Sequence, residues 1–190
     1  MNKYFKHKVV GDELCIKILI PKGYSVAMDW DDTIVDSRDQ FLNAISQSYI
    51  KYGTCEKYSE FEYDIPSTLP ESSKAILNEL RRAGVDVHLV SNKTTVNLMK
   101  SINDLKLFDY FKSIQGSCDK PNDKFVLTRI NDKGIMFGDN ARNDGMVALK
   151  AGWEFVRMDE YFFPFSKVKV SVCTALTNDE INRFQNIFGD

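Results

Sequence analysis

Two acidic segments contain the residues of this sequence that are best suited to chemistry. One runs from Asp29 to Thr33 and the other from Gly138 to Asp144. Residues two apart in an extended chain project to the same side, so the carboxylates of Asp29 and Asp31 are expected to converge. Converging carboxylates need a compensating cation, and Mg²⁺ prefers oxygen ligands of this kind. Taken separately, either segment is also compatible with solvated loop acids, whereas their joint occurrence favours a metal-dependent site.

Short apolar runs precede both segments and predict buried parallel strands. They are Ser25–Met28 before the first segment and Ile135–Phe137 before the second, and a third run lies at Val85–Val90. Helical patterns alternate with them at Lys74–Ala83, Thr95–Leu105, Lys124–Asn131 and Asp144–Ala151. The alternation predicts an α/β fold with a Rossmann-like, doubly wound parallel sheet, whose ligands bind beyond the carboxyl ends of the strands. Both acidic segments would lie at that edge.

Further strands are predicted near both ends of the chain. The alternation of Leu14, Ile16, Ile18 and Ile20 after the turn at Gly11 predicts an N-terminal β-hairpin over residues 4–20. Near the other end, strands are expected at Glu154–Met158 and Val168–Cys173, followed by a helix that starts with a capping box at Thr177–Glu180.

Composition and charge argue against several classes of partner. The 190 residues carry 25 basic and 27 acidic side chains, a formal net charge of −2, which gives no reason to expect a nucleic-acid partner. The four cysteines show no close pairing, and no apolar run is long enough to span a bilayer. We therefore expect a cytoplasmic protein with reduced thiols and no membrane partner.

The acidic segments belong to a set of four motifs that resembles the haloacid dehalogenase-like (HAD) phosphatases. Met28–Ser37 is similar to the first HAD motif, which usually reads Asp-x-Asp-Gly-Thr-Leu-Val-Asp-Ser, with Asp32 at the Gly position. A serine after a strand, Ser91, the pair Lys120-Pro121, and Gly138–Asp144 match the remaining motifs in order. Within the superfamily, the segment Val90–Lys93 and the region after Asp144 most resemble the phosphoglycolate-phosphatase-like branch. The resemblance covers about Val26 to Met158.

This resemblance implies a role for each motif residue. Asp29 would attack phosphorus to form an aspartyl-phosphate, and Asp31 would protonate the leaving alkoxide and then activate water. Ser91 and Lys120 would stabilise the phosphoryl group. The implied Mg²⁺ ligands are Asp29, Asp31 through its main-chain carbonyl, Asp139, and Asp144 either directly or through water.

The same resemblance suggests which residues lie beside the substrate. They are Thr33, which would orient the loop, Ser91, Asn92 and Lys120. For Asn92 two readings stay open, contact with substrate or closure of a turn. Lys93 is expected to be structural or solvated.

The insertion after the first motif departs from the family pattern. In phosphoglycolate phosphatases this cap is a substantial helical bundle, whereas here it spans only residues 38–72. Phe41, Ile45 and Tyr49 predict one amphipathic helix within it. We thus expect an N-terminal hairpin extension packed on the core at residues 1–22, a HAD-like core at 23–37 and 73–190, and a reduced cap between the two core segments.

These observations predict a magnesium-dependent phosphate-monoester hydrolase that acts on a small phosphorylated metabolite. The alternatives are a non-enzymatic binding or scaffold module on the same fold, a phosphomutase, and a phosphatase acting on nucleic-acid ends. The reduced cap leaves the site open, and a homo-oligomer that covers it is a further expectation.

Overall fold

A computed structural model describes residues 3–61, 66–123, 125–158 and 163–175, together with residues 177, 179, 180 and 183. The strands are β1 Phe5–Val10, β2 Glu13–Pro21, β3 Ser25–Met28, β4 Val87–Val90, β5 Ser113–Gln115, β6 Gly134–Gly138, β7 Glu154–Arg157 and β8 Lys167–Ala175. The helices are α1 Arg38–Tyr52, α2 Glu71–Arg82, α3 Thr95–Asp104 and α4 Met146–Ala151. Every helix in the described ranges is too short or too polar to cross a membrane.

Five parallel strands form the central sheet, in the order β5-β4-β3-β6-β7. Its central strands are mostly apolar because both faces are covered, with Ser25 and His88 as the polar exceptions in β3 and β4. Val26 and Met28 of β3 belong to a core that includes α2 and α3, whereas Ala27 faces a second cluster with α4. The predicted α/β fold with a doubly wound, Rossmann-like parallel sheet is therefore confirmed.

A second sheet of three strands packs on the first. β1 and β2 form the predicted antiparallel hairpin, and β8 pairs with β2 in parallel. Leu14, Ile16 and Ile18 are buried and join the same hydrophobic core as Val26 and Met28. Their alternation in the sequence thus marks the face of β2 that covers the central sheet.

Two predictions about the helices need correction. The helix expected at Lys124–Asn131 is wrong, because residues 125–130 form successive turns and Lys124 lies outside the described residues. Isolated helix-type hydrogen bonds occur among the described residues of this segment, from Arg129 N to Phe125 O and from Asn131 N to Leu127 O, and Val126 and Leu127 anchor the segment in the second core cluster. The helix expected at Asp144–Ala151 is present but begins earlier, with a wide π-helical turn over Ala141–Gly145 that continues directly into α4.

The predicted capping box is present near the C-terminus. Glu180 N donates to Thr177 Oγ1 at 3.3 Å, and Thr177 N donates to Glu180 Oε2 at 2.9 Å. Most of the helix that this box would begin lies outside the described residues.

The predicted cap helix is present as α1, but its buried face is not the stripe of Phe41, Ile45 and Tyr49. Its buried residues are Gln40, Ala44 and Ser48, whereas Phe41 is 46% exposed and Tyr49 66% exposed. The predicted apolar stripe is thus wrong as a core-facing surface. The reason is that α1 covers a polar cleft, to which it presents Gln40.

Candidate active site

The first acidic segment is a tight loop at the carboxyl end of β3. The N–H groups of Ile34 and Val35 both donate to Trp30 O, at 2.9 and 3.1 Å. Asp32, where HAD motifs usually have glycine, adopts a left-handed φ of 54°, which Asp accepts more readily than most residues. Its carboxylate accepts hydrogen bonds from the backbone and hydroxyl of Ser37 at 3.1 and 3.0 Å. Asp32 therefore stabilises the turn that carries its neighbours.

Thr33 connects this loop to the second acidic segment. Its Oγ1 accepts a hydrogen bond from Asp139 N at 2.9 Å, and the Asp139 carboxylate lies 3.5 Å from the same hydroxyl. The backbone of Asp29 likewise donates to Phe137 O at 2.9 Å. These bonds bring the ends of the neighbouring strands β3 and β6 together, as the sequence predicts.

Lys120 is the buried cation at the centre of the site. Its Nζ lies 2.9 Å from Asp29 Oδ1 and 2.5 Å from Asp144 Oδ1, and it donates to Val90 O at 2.9 Å. The Lys120 side chain is only 1% exposed. Burial lowers the pKa of its ammonium, but the negative charges of Asp29 and Asp144 outweigh this and raise the pKa above its ordinary value. Lys120 is therefore held as a cation.

Three carboxylates are close enough to bind one metal ion. Oxygen atoms of Asp29, Asp139 and Asp144 all lie within 4.8 Å of one another. Burial and the negative charge of Asp29 raise the pKa of Asp144 to about 7. Burial and the charges of Asp29 and Asp32 raise the pKa of Asp139 to about 6. Lys120 compensates only one of three negative charges, so this oxygen donor set fits a divalent cation such as Mg²⁺.

Asp144 reaches the cluster because Gly138 leaves room for it. A Cβ atom at Gly138 would lie 2.3 Å from Asp144 Oδ2, which no side chain could tolerate. The wide turn that precedes α4 directs Asp144 inward, where its carboxylate also accepts a hydrogen bond from Asn140 N at 3.2 Å. Asp144 is fully buried and ion-paired with Lys120.

Ser91 and Asn92 follow β4, which neighbours β3 on the side opposite to β6. Ser91 is 2% exposed, lines the cavity, and accepts a hydrogen bond from Lys93 N at 3.1 Å. The Asn92 amide pairs with the main chain of Lys120, accepting from its N–H at 2.7 Å and donating to its carbonyl at 2.9 Å. In this structure Asn92 thus positions Lys120, a third role beside the two that the sequence left open.

Lys93 is the site residue whose position sequence reasoning missed. Its side chain is 3% exposed, and its Nζ lies 3.1 Å from Asp31 Oδ1 and 3.2 Å from Gln40 Oε1. Of the two expectations for Lys93, the solvated one is wrong, and the structural one agrees with this burial. No local pattern marks this contact, because its partners lie 62 and 53 positions away along the chain.

A cavity of about 350 Å³ opens over these residues. Asp29, Asp31, Ser91 and Lys120 line it, so it brings together the four residues predicted to be catalytic. Thr33 is buried behind Asp139 and does not line the cavity.

Comparisons with known proteins agree with this arrangement. The sequence profile of the haloacid dehalogenase-like hydrolases matches residues 55–158. A HAD-superfamily hydrolase from Ehrlichia chaffeensis has a similar structure, with a TM-score of 0.54 and 19% identity over 84% of this chain and 95% of that chain. YfnB from Bacillus subtilis, whose structure contains magnesium, has a TM-score of 0.60 and 16% identity over 86% of this chain and 99% of that one.

A third similar structure is a haloacid dehalogenase-like family protein from Streptococcus pneumoniae. Its TM-score is 0.61, with 16% identity over 78% of this chain and 93% of that chain. No curated protein sequence gives a significant match. At these identities the solved structures show a common fold.

Proposed function

Because the chain belongs to the haloacid dehalogenase-like hydrolase family, we propose that it is a magnesium-dependent phosphatase that transfers the phosphoryl group of a phosphate monoester to Asp29. The observation that carries this proposal is the convergence of Asp29, Asp139 and Asp144 within 4.8 Å, with Lys120 on Asp29. This cluster lies at the carboxyl edge of the parallel sheet, where the fold binds its ligands.

In the first step, Asp29 acts as the nucleophile. Its side chain is 14% exposed, on the cavity wall, and Lys120 fixes one of its oxygens. A bond forms between an Asp29 oxygen and phosphorus while the bond from phosphorus to the ester oxygen breaks. Asp31 gives its proton to the departing alkoxide, and the Ser91 hydroxyl and Lys120 stabilise the phosphoryl oxygens.

In the second step, water hydrolyses the aspartyl-phosphate. Asp31 takes a proton from this water, which attacks phosphorus, so that inorganic phosphate leaves and the Asp29 carboxylate is restored. Asp31 suits both steps because it lines the same cavity as Asp29 and stands outside the cluster of three carboxylates.

Asp29, Asp139 and Asp144 would hold Mg²⁺, with the main-chain carbonyl of Asp31 as a further ligand. When bound, the ion supplies positive charge that offsets the carboxylates and the phosphoryl group. The magnesium in the YfnB structure supports this assignment by analogy of fold.

The test is release of inorganic phosphate from a panel of phosphorylated metabolites, with Mg²⁺ or with a chelator. We expect hydrolysis only with Mg²⁺, and a loss of about 10³-fold or more in Asp29→Asn. Asp132→Asn, at an exposed acid remote from the cavity, is the matched control and should retain activity. Turnover without Mg²⁺, or full activity in Asp29→Asn, would refute the proposal.

A further inference from the structure

The outer wall of the active-site cavity contains an aromatic pair from the cap. Phe41 of α1 and Tyr58, at the start of the short helical turn Tyr58–Glu60, both line the cavity that contains Asp29. Their ring centroids are 5.2 Å apart with an interplanar angle of 78°, the edge-to-face arrangement that aromatic rings prefer. Phe41 is nonetheless 46% exposed. The cavity therefore combines a polar end, lined by the carboxylates and lysines, with an apolar surface that a ligand could bury.

The charges that line this cavity restrict what else the ligand can carry. Among the described lining residues the two cations are Lys93 and Lys120, and both contact carboxylates, of Asp31 and Asp29 respectively. The lining acids are Asp29, Asp31, Asp32 and Asp139, so the formal charge of the lining is −2 with every acid ionised and −1 with Asp31 protonated as the general acid. A divalent cation offsets this charge. A second acidic group on the substrate, such as the carboxylate of phosphoglycolate, would meet like charges without a lysine to pair with.

From these two observations, and resting on the phosphatase function proposed above, we infer the substrate class. The substrate is a phosphate monoester whose alcohol part carries a planar aromatic ring and no second acidic group, and the ring packs on Phe41 and Tyr58. Nucleoside 5′-monophosphates and aryl phosphates share this chemistry. The cavity volume of about 350 Å³ falls in the range of small-molecule sites.

The first experiment compares kcat/KM for adenosine 5′-monophosphate with that for ribose 5-phosphate. Both substrates are phosphate esters of the primary 5′-hydroxyl of ribose, and only the nucleotide carries a base. We expect the nucleotide to be favoured about 10-fold or more, because stacking of a base on an aromatic side chain contributes that much. Because phenoxide is also the better leaving group, phenyl phosphate is compared with cyclohexyl phosphate by binding to Asp29→Asn, and tighter binding of the phenyl ester would identify an aryl substrate. Phosphoglycolate should be the poorest substrate. Equal kcat/KM for nucleotide and ribose phosphate together with equal binding of the two cyclic esters, or a preference for phosphoglycolate, would overturn the inference.

The second experiment assigns the preference to the aromatic pair. Phe41→Leu keeps an apolar side chain but removes the ring, and it should reduce the preference for the ring-bearing substrate about 10-fold. Tyr49→Leu is the matched control, since Tyr49 is an exposed aromatic residue of the same helix that does not line the cavity, and the preference should persist. An unchanged preference in Phe41→Leu would contradict the inference.

Binding to Asp29→Asn separates this inference from the proposed function. Calorimetric titration of that variant with adenosine 5′-monophosphate and with ribose 5-phosphate, both with Mg²⁺, does not depend on turnover. Tighter binding of the nucleotide by Asp29→Asn, with no hydrolysis of any phosphate ester by the wild type, would refute the phosphatase function alone. Hydrolysis of phosphate esters in wild type with no preference for a ring, in turnover or in binding, would refute only the substrate class.

Discussion

Lys93 Nζ lies 3.1 Å from Asp31 Oδ1, although the two residues are separated by 62 positions along the chain. The lysine is shielded from water, whereas the Asp31 side chain is 34% exposed. Gln40 of α1 accepts a second hydrogen bond from Lys93 at 3.2 Å. The cap helix, the loop after β4 and the proposed acid and base of the reaction are thus connected through one ammonium group.

This contact predicts that Lys93→Met impairs catalysis by displacing Asp31. A misplaced catalytic group costs about 10-fold to 100-fold in rate. The loss in kcat should be larger for alkyl phosphates than for phenyl phosphate, because a phenoxide departs with little help from an acid. Steady-state kinetics on both substrates measure the difference, with Lys74→Met as a control at an exposed lysine. Equal losses on both substrates would argue against a role in positioning Asp31.

The buried ion pairs of Lys120 predict a large effect on stability. Lys120→Met leaves Asp29 and Asp144 without their cation, and loss of one partner from a buried pair costs about 3 to 5 kcal/mol in the free energy of unfolding. Lys112→Met, which removes an exposed ion pair with Asp86, should cost less than about 1 kcal/mol. Urea unfolding with Mg²⁺ absent gives both values. Similar values for the two variants would contradict this account of the site.

The position of Asp139 predicts the response to magnesium. Asp139→Asn removes one of the three clustered carboxylates, so the Mg²⁺ concentration that gives half-maximal activity should rise about 10-fold or more. A magnesium titration of phosphate release measures it. Asp132→Asn, which changes an exposed acid elsewhere, should titrate like wild type. An unchanged titration in Asp139→Asn would exclude Asp139 as a ligand.

The crowded carboxylates predict that the metal-free protein is less stable at high pH. The pKa of Asp144 is raised to about 7 and that of Asp139 to about 6, from ordinary values of 3.8. The folded state therefore binds more protons than the unfolded state, so this stability is present below about pH 4 and is lost as pH rises through these pKa values. Urea unfolding in chelator should show a fall from about pH 5 to about pH 8, which Mg²⁺ diminishes. A rise in stability over that range would contradict the predicted direction.

Much of the fold could be predicted because the central strands are short apolar runs bounded by polar residues. Ser25–Met28 coincides with β3, and Ile135–Phe137 lies within β6. The edge strand β5 has only three half-buried residues and shows no such pattern. The segment after Asp123 has helical periodicity, but packing of Val126 and Leu127 holds it as turns. The hydrophobic pattern of a sequence thus predicts which residues are buried better than it predicts the secondary structure, which tertiary packing can change.

Some residues of the site could likewise be predicted from the sequence, whereas several of their contacts could not. The motif residues Asp29, Ser91 and Asp139 could be predicted to meet because they follow the neighbouring strands β3, β4 and β6. Lys120 follows β5, which shows no strand pattern, and only the resemblance to the family motif indicates its place in the site. The contacts of Lys93 with Asp31 and of Asn92 with the Lys120 backbone depend on how separate loops pack, so no spacing along the chain predicts them.

Identification of the phosphorylated residue tests the central claim most directly. Wild type and Asp31→Asn are mixed with Mg²⁺ and phenyl phosphate, whose phenoxide departs with little help from Asp31, then quenched in acid and digested for mass spectrometry of the peptide that contains Asp29. We predict one phosphoryl group on Asp29, more of it in Asp31→Asn because hydrolysis of the intermediate is slowed, and none in Asp29→Asn. Rapid release of phosphate with no phosphoryl group on Asp29 in either protein, or a phosphoryl group on another residue, would contradict the account.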